Sequence, residues 1–549
     1  MDRSSTLLFF LIIFILLLLH ANANNISTDE SALLELKSHI SNNIIATNWS
    51  ASVPVCSWIG ITCSSRHHRV TSLNISSMQL YGTIPPHIGN LSFISSLDFS
   101  NNTFHGDLPQ ELAHLQRLKS INVTSNNFTG AIPSFLSLLP YLRFVQLSSN
   151  QFSGKIPSSL SNITKLQMLF LERIFLEGEI PREIGDLCYL TILDLQINQL
   201  SGSIPPSIFN ITTMHVIALT DSNLTGNLPI TICDHLPDLK GLYLSKNSLD
   251  GVIPPNLEKC RKLQKLELGD NEFIGTLPRE LANLTALTYL SISDLHLEGE
   301  IRMEFGNLQK LHELDLAQNE LTGSVPHNIF NMSALQNIDF GENKLSGTLP
   351  SDLGRGMPNL EIFYCGGNNL SGFISASISN SSKLRQLDLS RNSFTGTIPK
   401  SLGNLKYLEL LHLLSNNFVS DSTLSFLVSL TNCRNLRALT LAGNLLDGVL
   451  PATVGNFSNS LQIFEASKCK LKGVIPREIG NLTGLKRIGM FNNDLTGHIP
   501  KYCTWHVDPL RTLLIEQQND GPLPPCLSVE SSSTYASSVS PKALESLVE

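Results

Sequence analysis

At 549 residues the chain is long enough for three or four ordinary domains, and 42% of it is hydrophobic while only 15% is charged. Its formal charge of −8 is spread without any basic block. That argues against nucleic acid, whose binding needs clustered Lys and Arg to displace counterions, and leaves a peptide or protein partner open.

Residues 1–23 read as a secretory signal peptide. Arg3 precedes the apolar run LLFFLIIFILLLL, and Ala21, Asn22 and Ala23 follow as an A-x-A cleavage pattern. The run is shorter than the roughly 20 residues a membrane span needs. No later stretch is continuously apolar over such a length, so no membrane span is expected in the chain after cleavage. Residues 24–69 form the next segment. Ser27 and Glu30 make a capping-box pattern ahead of SALLELKSHI, in which Leu33, Leu36 and Ile40 share one helical face. Cys56 and Cys63 bracket the stretch CSWIGITC.

From residue 70 to 526 one phrase recurs: VQLSSNQFSGKIP, LDLQINQLSGSIP, LDLAQNELTGSVP, LDLSRNSFTGTIP. Aligned on the Asn of L-x-L-x-x-N, eighteen units follow one another, most of them 24 residues long, three of 25 and one of 28. Thirteen of the eighteen carry Asn at that position, and seventeen carry Gly four places on, Ser420 being the exception. This period specifies a leucine-rich repeat solenoid of α/β class, with a parallel sheet along its concave side. In each unit L-x-L is a short strand with Leu inward and x outward. The Asn amide can serve backbone groups of its own turn and of the neighbouring coil. Ile174 and Leu295 lack that capacity, so looser or water-bridged turns are expected there. The Gly suits a positive φ, the following Pro fixes φ without donating, and a short helical turn returns along the outer side. Gly521, Leu523 and Pro524 are in phase for a degenerate nineteenth unit, and the Ser-rich residues 527–549 have no core pattern and read as disordered.

The L-x-G-x-I-P phrase resembles the plant-specific class of leucine-rich repeats found in receptor-like kinases, receptor-like proteins and inhibitors of pathogen pectinases. The 28-residue unit NNFVSDSTLSFLVSLTNCRNLRALTLAG resembles one in the receptor-kinase subfamily that includes the rice bacterial-blight receptor and the receptor for bacterial elongation factor Tu. The resemblance implies a superhelical ectodomain whose N-terminal cap is closed by a disulfide, here Cys56 to Cys63. It also implies a peptide or protein ligand on the concave face and a leucine-rich repeat co-receptor kinase as partner. Cys233 and Cys260 lie in adjacent coils and are candidates for a second bridge, and Cys503 and Cys526 for a terminal one; both pairings stay open. In a secreted chain the N-x-S/T motifs at Asn48, Asn74, Asn90, Asn101, Asn122, Asn127, Asn162, Asn210, Asn223, Asn283, Asn331, Asn369, Asn380, Asn456 and Asn481 are candidate glycosylation sites.

Motifs for chemistry are missing from the sequence. Asp339-Phe340-Gly341 spells the kinase metal-binding tripeptide, but it falls on strand positions of a repeat without the other kinase elements. The adjacent His67 and His68 read as solvated loop residues. No nucleophile elbow, zinc-protease helix or phosphate loop is present, so no enzyme activity, metal or cofactor is expected. What remains is surface. Most outward strand positions are Ser, Thr, Asp, Gln or Asn, which reads as a solvated face. Large outward side chains are the exception: by phase Phe144, Met168, Phe170, Ile192, Ile197, Tyr243, Tyr289, Tyr364, Leu414 and Phe491 point out, and across repeats four to eight Phe144, Phe170, Arg173, Ile197, Tyr243 and Lys246 form the candidate ligand patch. Two functions follow. One is a receptor-like ectodomain sensing a peptide, a microbial molecule or a self molecule and signalling through a partner kinase. The other is a secreted inhibitor of pathogen cell-wall-degrading enzymes.

Overall fold

The computed structural model describes residues 26–41, 43–497 and 512–514. The signal peptide, Cys503, Cys526, the nineteenth unit and the Ser-rich tail lie outside them. Two units are described in turn, residues 1–263 and 264–549.

In the first unit the chain opens with a helix, Ile26–Ser38, that buries Asp29, Ala32, Leu33 and Leu36. The helix already runs at Ile26, which puts Ser27 inside its first turn rather than at a cap. Ile40 leaves the expected helical face: with Ser41 it forms a two-residue strand antiparallel to Tyr81–Gly82. Trp49 and Trp58 stack behind the helix at 5.5 Å, and each indole N–H donates to a backbone carbonyl, Ile59 and Val53 respectively, at 3.0 Å. A disulfide joins Cys56 to Cys63. Arg69 reaches back from the first repeat and grips Asp29 with two bonds, Nε to Oδ2 at 2.8 Å and Nη2 to Oδ1 at 2.7 Å. Both residues are buried, 4% and 0% exposed. The same carboxylate accepts from Val70 N at 3.0 Å, so one Asp fixes the cap to the first strand of the array.

That strand, Val70–Asn74, starts a parallel sheet that continues one strand per coil to Gly241–Tyr243. Ile61–Cys63 pairs antiparallel on its outer edge and closes it. The Asn ladder works as the donor inventory requires. Asn126 Nδ2 donates to Phe99 O and Val123 O, both at 3.0 Å, and its Oδ1 accepts from Phe104 N at 2.9 Å. One buried amide thus closes its own turn and ties it to the coil before. Beneath the ladder, Phe104, Phe128 and Phe152 stack at 6.1 and 6.3 Å. Ile174 breaks the ladder without loosening the turn: it is fully buried, and Arg173 keeps the left-handed φ of 54° found before the other ladder positions. The deficit appears instead as missing side-chain bonds to the neighbouring backbone; separately, Glu172 N, whose counterparts in other coils bond the Asp or Asn at the third strand position, here donates to the Ser148 hydroxyl at 3.1 Å because Phe170 stands at that position. Each coil then turns at its Gly, φ +84° at Gly154, and passes a Pro into a 3₁₀ helix on the outer side, such as Ser158–Asn162. The sequence did not announce a second run of short parallel strands made by the L-x-G segments, such as Glu177–Glu179 with Gln199–Ser201. Cys233 and Cys260, left open above, are bridged.

The second unit repeats this plan. Its sheet runs from Lys265–Glu267 to Arg487–Gly489, and Thr512–Leu514 adds one more parallel strand. Register survives the 28-residue repeat, with Leu411 opposite Leu439. Its extra residues are taken up by an α-helix, Ser425–Leu430. Asp421 nucleates that helix, accepting from Thr423 N at 3.1 Å and Ser425 N at 3.0 Å. Hydrogen bonds from the Ser425 hydroxyl first, then from Thr423, hold its carboxyl well below the usual range. Cys469 occupies a ladder position and donates its thiol to Leu441 O at 3.1 Å, while burial pushes that thiol up to about 12.

Candidate ligand-binding face

In each three-residue strand of the first unit's parallel sheet, from Ser96–Asp98 to Gly241–Tyr243, the middle residue is buried in the core and the first and third point away from it. Parallel pairing lines them up coil by coil. Register sets Phe144 beside Met168, Ile192, Val216 and Gly241, and sets Gln146 beside Phe170, Asp194, Ala218 and Tyr243. The first row is therefore apolar over five successive strands, about 19 Å at some 4.8 Å per strand. Gly241 interrupts it only in name. A Cβ built there would sit 2.6 Å from the Tyr243 ring, so that ring covers the position and continues the stripe. Just beyond the strands, Arg173, Ile197 and Lys246 share a third line at the turn, all with left-handed φ near 54° and all exposed. Such a φ is tolerated by Asn, Asp, Ser or Gly, and most coils have one of those there; a β-branched Ile is strained.

The six sequence-derived residues thus fall on three lines of one face. Phe144 lies on the first row, Phe170 and Tyr243 on the second, three strands apart, and Arg173, Ile197 and Lys246 at the turn. Met168 and Ile192, outward by repeat phase, and Val216 complete the stripe; reading positions down the columns of the repeat alignment, rather than one repeat at a time, reveals Val216. Asp194 is the charge set into this apolar ground. Its carboxyl is pushed above the ordinary value of 3.8, by burial first, against opposing hydrogen bonds from Gln196 and with repulsion from Glu172 adding to the rise.

The candidate glycosylation sites lie off the stripe itself. None of the fifteen candidate Asn occupies the outward strand or turn positions of the five coils from Phe144 to Lys246. In those coils Asn162 and Asn210 end outer 3₁₀ helices, and Asn223 follows a ladder position. Thirteen of the fifteen side chains are exposed, Asn48 and Asn122 being half-buried. Asn122 lies on the sheet beside Gln146, one strand before the stripe begins. Among the described residues no group of three His, Cys, Asp or Glu is placed to hold a metal, and no helix is long and apolar enough to cross a membrane. Asp339 accepts from Gly341 N at 2.8 Å as an ordinary strand-to-turn contact.

Known proteins place this geometry. Residues 26–64 match the leucine rich repeat N-terminal domain, and residues 141–163, 189–211, 238–260, 262–284, 310–332 and 383–405 match the leucine rich repeat. The plant peptide hormone receptor RGFR1, solved in complex with RGF2, superposes with a TM-score of 0.71 at 31% identity, covering 84% of this chain and 83% of that one. The chain belongs to the plant leucine-rich-repeat receptor family. Another receptor of this family, the Arabidopsis receptor kinase HAESA with an extended IDA peptide hormone, gives a TM-score of 0.79 at 29% identity over 93% of this chain and 90% of that one. HAESA with IDA and the co-receptor SERK1 gives 0.68 at 27% identity over 89% and 90%. Among curated relatives, the receptor-like kinase EFR of Arabidopsis thaliana is 50% identical over 70 residues, 12% of this chain and 7% of that protein. The receptor kinase-like protein Xa21 of rice is 39% identical over 92 residues, 16% and 9%. Polygalacturonase inhibitor 2 of Arabidopsis thaliana is 34% identical over 99 residues, 17% and 29%. The matched stretches therefore span less than a third of each of these curated relatives.

Proposed function

We propose that this receptor-family ectodomain recognises an extracellular peptide or protein ligand in plant immunity or development, and that Phe144, Phe170, Arg173, Ile197, Tyr243 and Lys246 bind it. The observation that carries this reading is the registered apolar stripe from Phe144 to the Tyr243 ring. Five consecutive outward apolar positions line this sheet, four of them half-buried and Gly241 under the Tyr243 ring, and a contiguous apolar patch facing outward marks a contact site. The strained, exposed Ile197 at its edge supports it, because backbone strain persists where function uses it. Cations at Arg173 and Lys246 would suit an acidic or carboxylate-bearing ligand group beside an apolar segment. On this reading the protein acts by recognition and signals through a partner kinase. In the second unit Val419, Leu445, Val449 and Val474 are all 40% exposed or more and offer a co-receptor ectodomain an apolar surface. The protein works at the outer face of the plasma membrane or in the apoplast, reached through the secretory pathway.

The test is competitive binding of peptides selected from a random decapeptide library on the secreted glycoprotein. Phe170→Ala with Tyr243→Ala should weaken the selected peptides about tenfold or more, as loss of two buried aromatic anchors does; unchanged affinity would remove this patch. The likeness to polygalacturonase inhibitors favours a second reading, a secreted inhibitor of pathogen wall-degrading enzymes. A direct inhibition assay on fungal polygalacturonases separates the two.

A further inference from the structure

In the first unit a row of rings and cations lines the edge where each coil leaves its outer helix and enters its strand. Three residues ahead of five successive strands stand Phe93, Arg117, Tyr141, Lys165 and Tyr189, so aromatic and basic side chains alternate coil by coil. Arg117 Cζ lies 3.9 Å from the centre of the Phe93 ring, and Lys165 Nζ lies 4.4 Å from that of Tyr141. Immediately ahead of the strands, Lys119 and Arg143 follow one another. Lys119 N donates to Ser95 O and Arg143 N to Lys119 O, both at 2.8 Å, which ties these positions from coil to coil. Arg117 and Lys165 are two repeats apart in the sequence, which is why the chain shows no basic block although the fold builds one.

The charge of this edge runs against that of the whole chain. Residues 92–95, 116–119, 140–143, 164–167 and 188–191, which build it, hold Arg117, Lys119, Arg143 and Lys165 and no Asp or Glu, in a chain of formal charge −8. All four cations are exposed, and among the described residues none of them forms an ion pair. The acids nearest to them in sequence, Glu111 and Glu172, sit in the outer helix Gln110–His114 and beyond the strand Met168–Phe170. A ring beside a guanidinium or an ammonium attracts it without neutralising it. Phe93 and Tyr141 thus restrain Arg117 and Lys165 and leave their charge for another molecule. Tyr141 and Tyr189 are 48% and 59% exposed, and among the described residues no cation covers the Tyr189 ring.

We propose that this edge is a second binding site, for a linear polyuronate, a sugar chain with one carboxylate on each residue, lying across the coils from Phe93 to Tyr189. Three successive coils present cations, Arg117 with Lys119, then Arg143, then Lys165, at a step of about 4.8 Å. One residue of a linear pyranose chain is about as long as that step, so its carboxylates meet the coils one for one. An extended acidic peptide sets side chains of one face about 6.6 Å apart and falls out of step. The guanidinium forks of Arg117 and Arg143 suit a carboxylate, and the open Tyr189 ring gives the apolar face of a sugar a surface to stack on. Candidate glycan acceptors Asn90 and Asn162 end outer 3₁₀ helices, three residues before Phe93 and Lys165, and are not part of the row. The proposal shares only the extracellular setting with the receptor reading and uses none of its ligand-binding residues.

The test measures binding of the full secreted glycoprotein, at one fixed salt concentration, to three probes: a galacturonate decamer, the same decamer fully methyl-esterified, and a glutamate decapeptide. The edge variant replaces Arg117, Lys119, Arg143 and Lys165 by Gln. A control variant replaces Lys310, Lys400, Lys406 and Lys486, four exposed cations of the second unit, by Gln, which changes the net charge equally. Melting temperature checks that each variant is folded. The acidic decamer should bind at least about tenfold more tightly than either other probe. The edge variant should lose about tenfold of that affinity, the sum of four modest contacts at exposed positions. Tyr189→Ala, which alters no charge, should weaken the decamer severalfold, and the control variant and Phe170→Ala with Tyr243→Ala should leave it unchanged. An esterified decamer or a glutamate peptide bound as tightly as the acidic decamer overturns the proposal. An equal loss in the control variant does so too, because net charge would then explain the binding. No binding of the acidic decamer sinks this site and leaves the receptor reading standing.

Discussion

Asn150→Ala should cost more stability than Asn126→Ala, although the two residues have the same role in consecutive coils. Their amides make equivalent bonds: Asn150 Nδ2 donates to Val123 O and Leu147 O, both at 2.9 Å, and Oδ1 accepts from Phe128 N at 3.0 Å. The difference lies in what each loss leaves behind. When Asn126 is removed, Phe99 O still receives Asn102 Nδ2 and Val123 O still receives Asn150 Nδ2, so only Phe104 N loses its partner. When Asn150 is removed, Val123 O keeps Asn126 Nδ2 and Ser148 O keeps Ser125 N. Leu147 O has no second amide, because the next ladder position is Ile174, and Phe128 N is orphaned as well. One stranded buried group predicts a loss of about 1–2 kcal/mol for Asn126→Ala, and two predict about 2–4 kcal/mol for Asn150→Ala. Denaturant unfolding of the two variants gives the difference, and hydrogen exchange at the amides of Phe104 and Phe128 localises it, since coils of a repeat array can open separately. Equal costs, or a larger one at Asn126, would refute the ladder accounting.

Other perturbations probe the cap and the stripe. Asp29→Ala strands the buried Arg69 guanidinium and should cost about 3–5 kcal/mol, read as a drop in melting temperature; pairing it with Arg69→Met should recover much of the loss. Ile197→Asn relieves a β-branched side chain in the left-handed region and should stabilise by about 1 kcal/mol in denaturant unfolding, while weakening any ligand that uses the stripe. Asp194 binds its proton more tightly folded than unfolded, so its contribution to stability is lost as pH rises through the folded value. Asp194→Asn should therefore raise the melting temperature at pH 7, a gain that fades as the pH is lowered towards the ordinary carboxylate value of 3.8.

Period, phase and ladder were legible in the sequence because each coil repeats one physical solution: Leu inward, Asn at the turn, Gly where φ is positive. The same phase told which side chains point outward, Phe144, Phe170 and Tyr243 among them. Contacts that join residues far apart in sequence were not legible. Asp29 and Arg69 are separated by forty positions, and nothing in the repeat pattern pairs them. Ile40 fits the helical periodicity, yet the chain turns there to pair with Tyr81–Gly82, a tertiary choice that overrides the local pattern. The Tyr243 ring over Gly241 escaped notice because it depends on where a side chain lies, not on which way it points. Likewise Asp388, His412 and Thr440 share the outward phase of solvated residues; only packing reveals that they are buried.

The most direct test of recognition on the first unit's sheet is a hydrogen-exchange footprint on the full glycoprotein, with and without the best binder from the random decapeptide selection. A ligand on the apolar stripe should slow exchange in the strands from Phe144–Gln146 to Gly241–Tyr243 and in the turns at Arg173, Ile197 and Lys246. Protection confined to the outer 3₁₀ helices, such as Ser158–Asn162 and Pro206–Asn210, would contradict it.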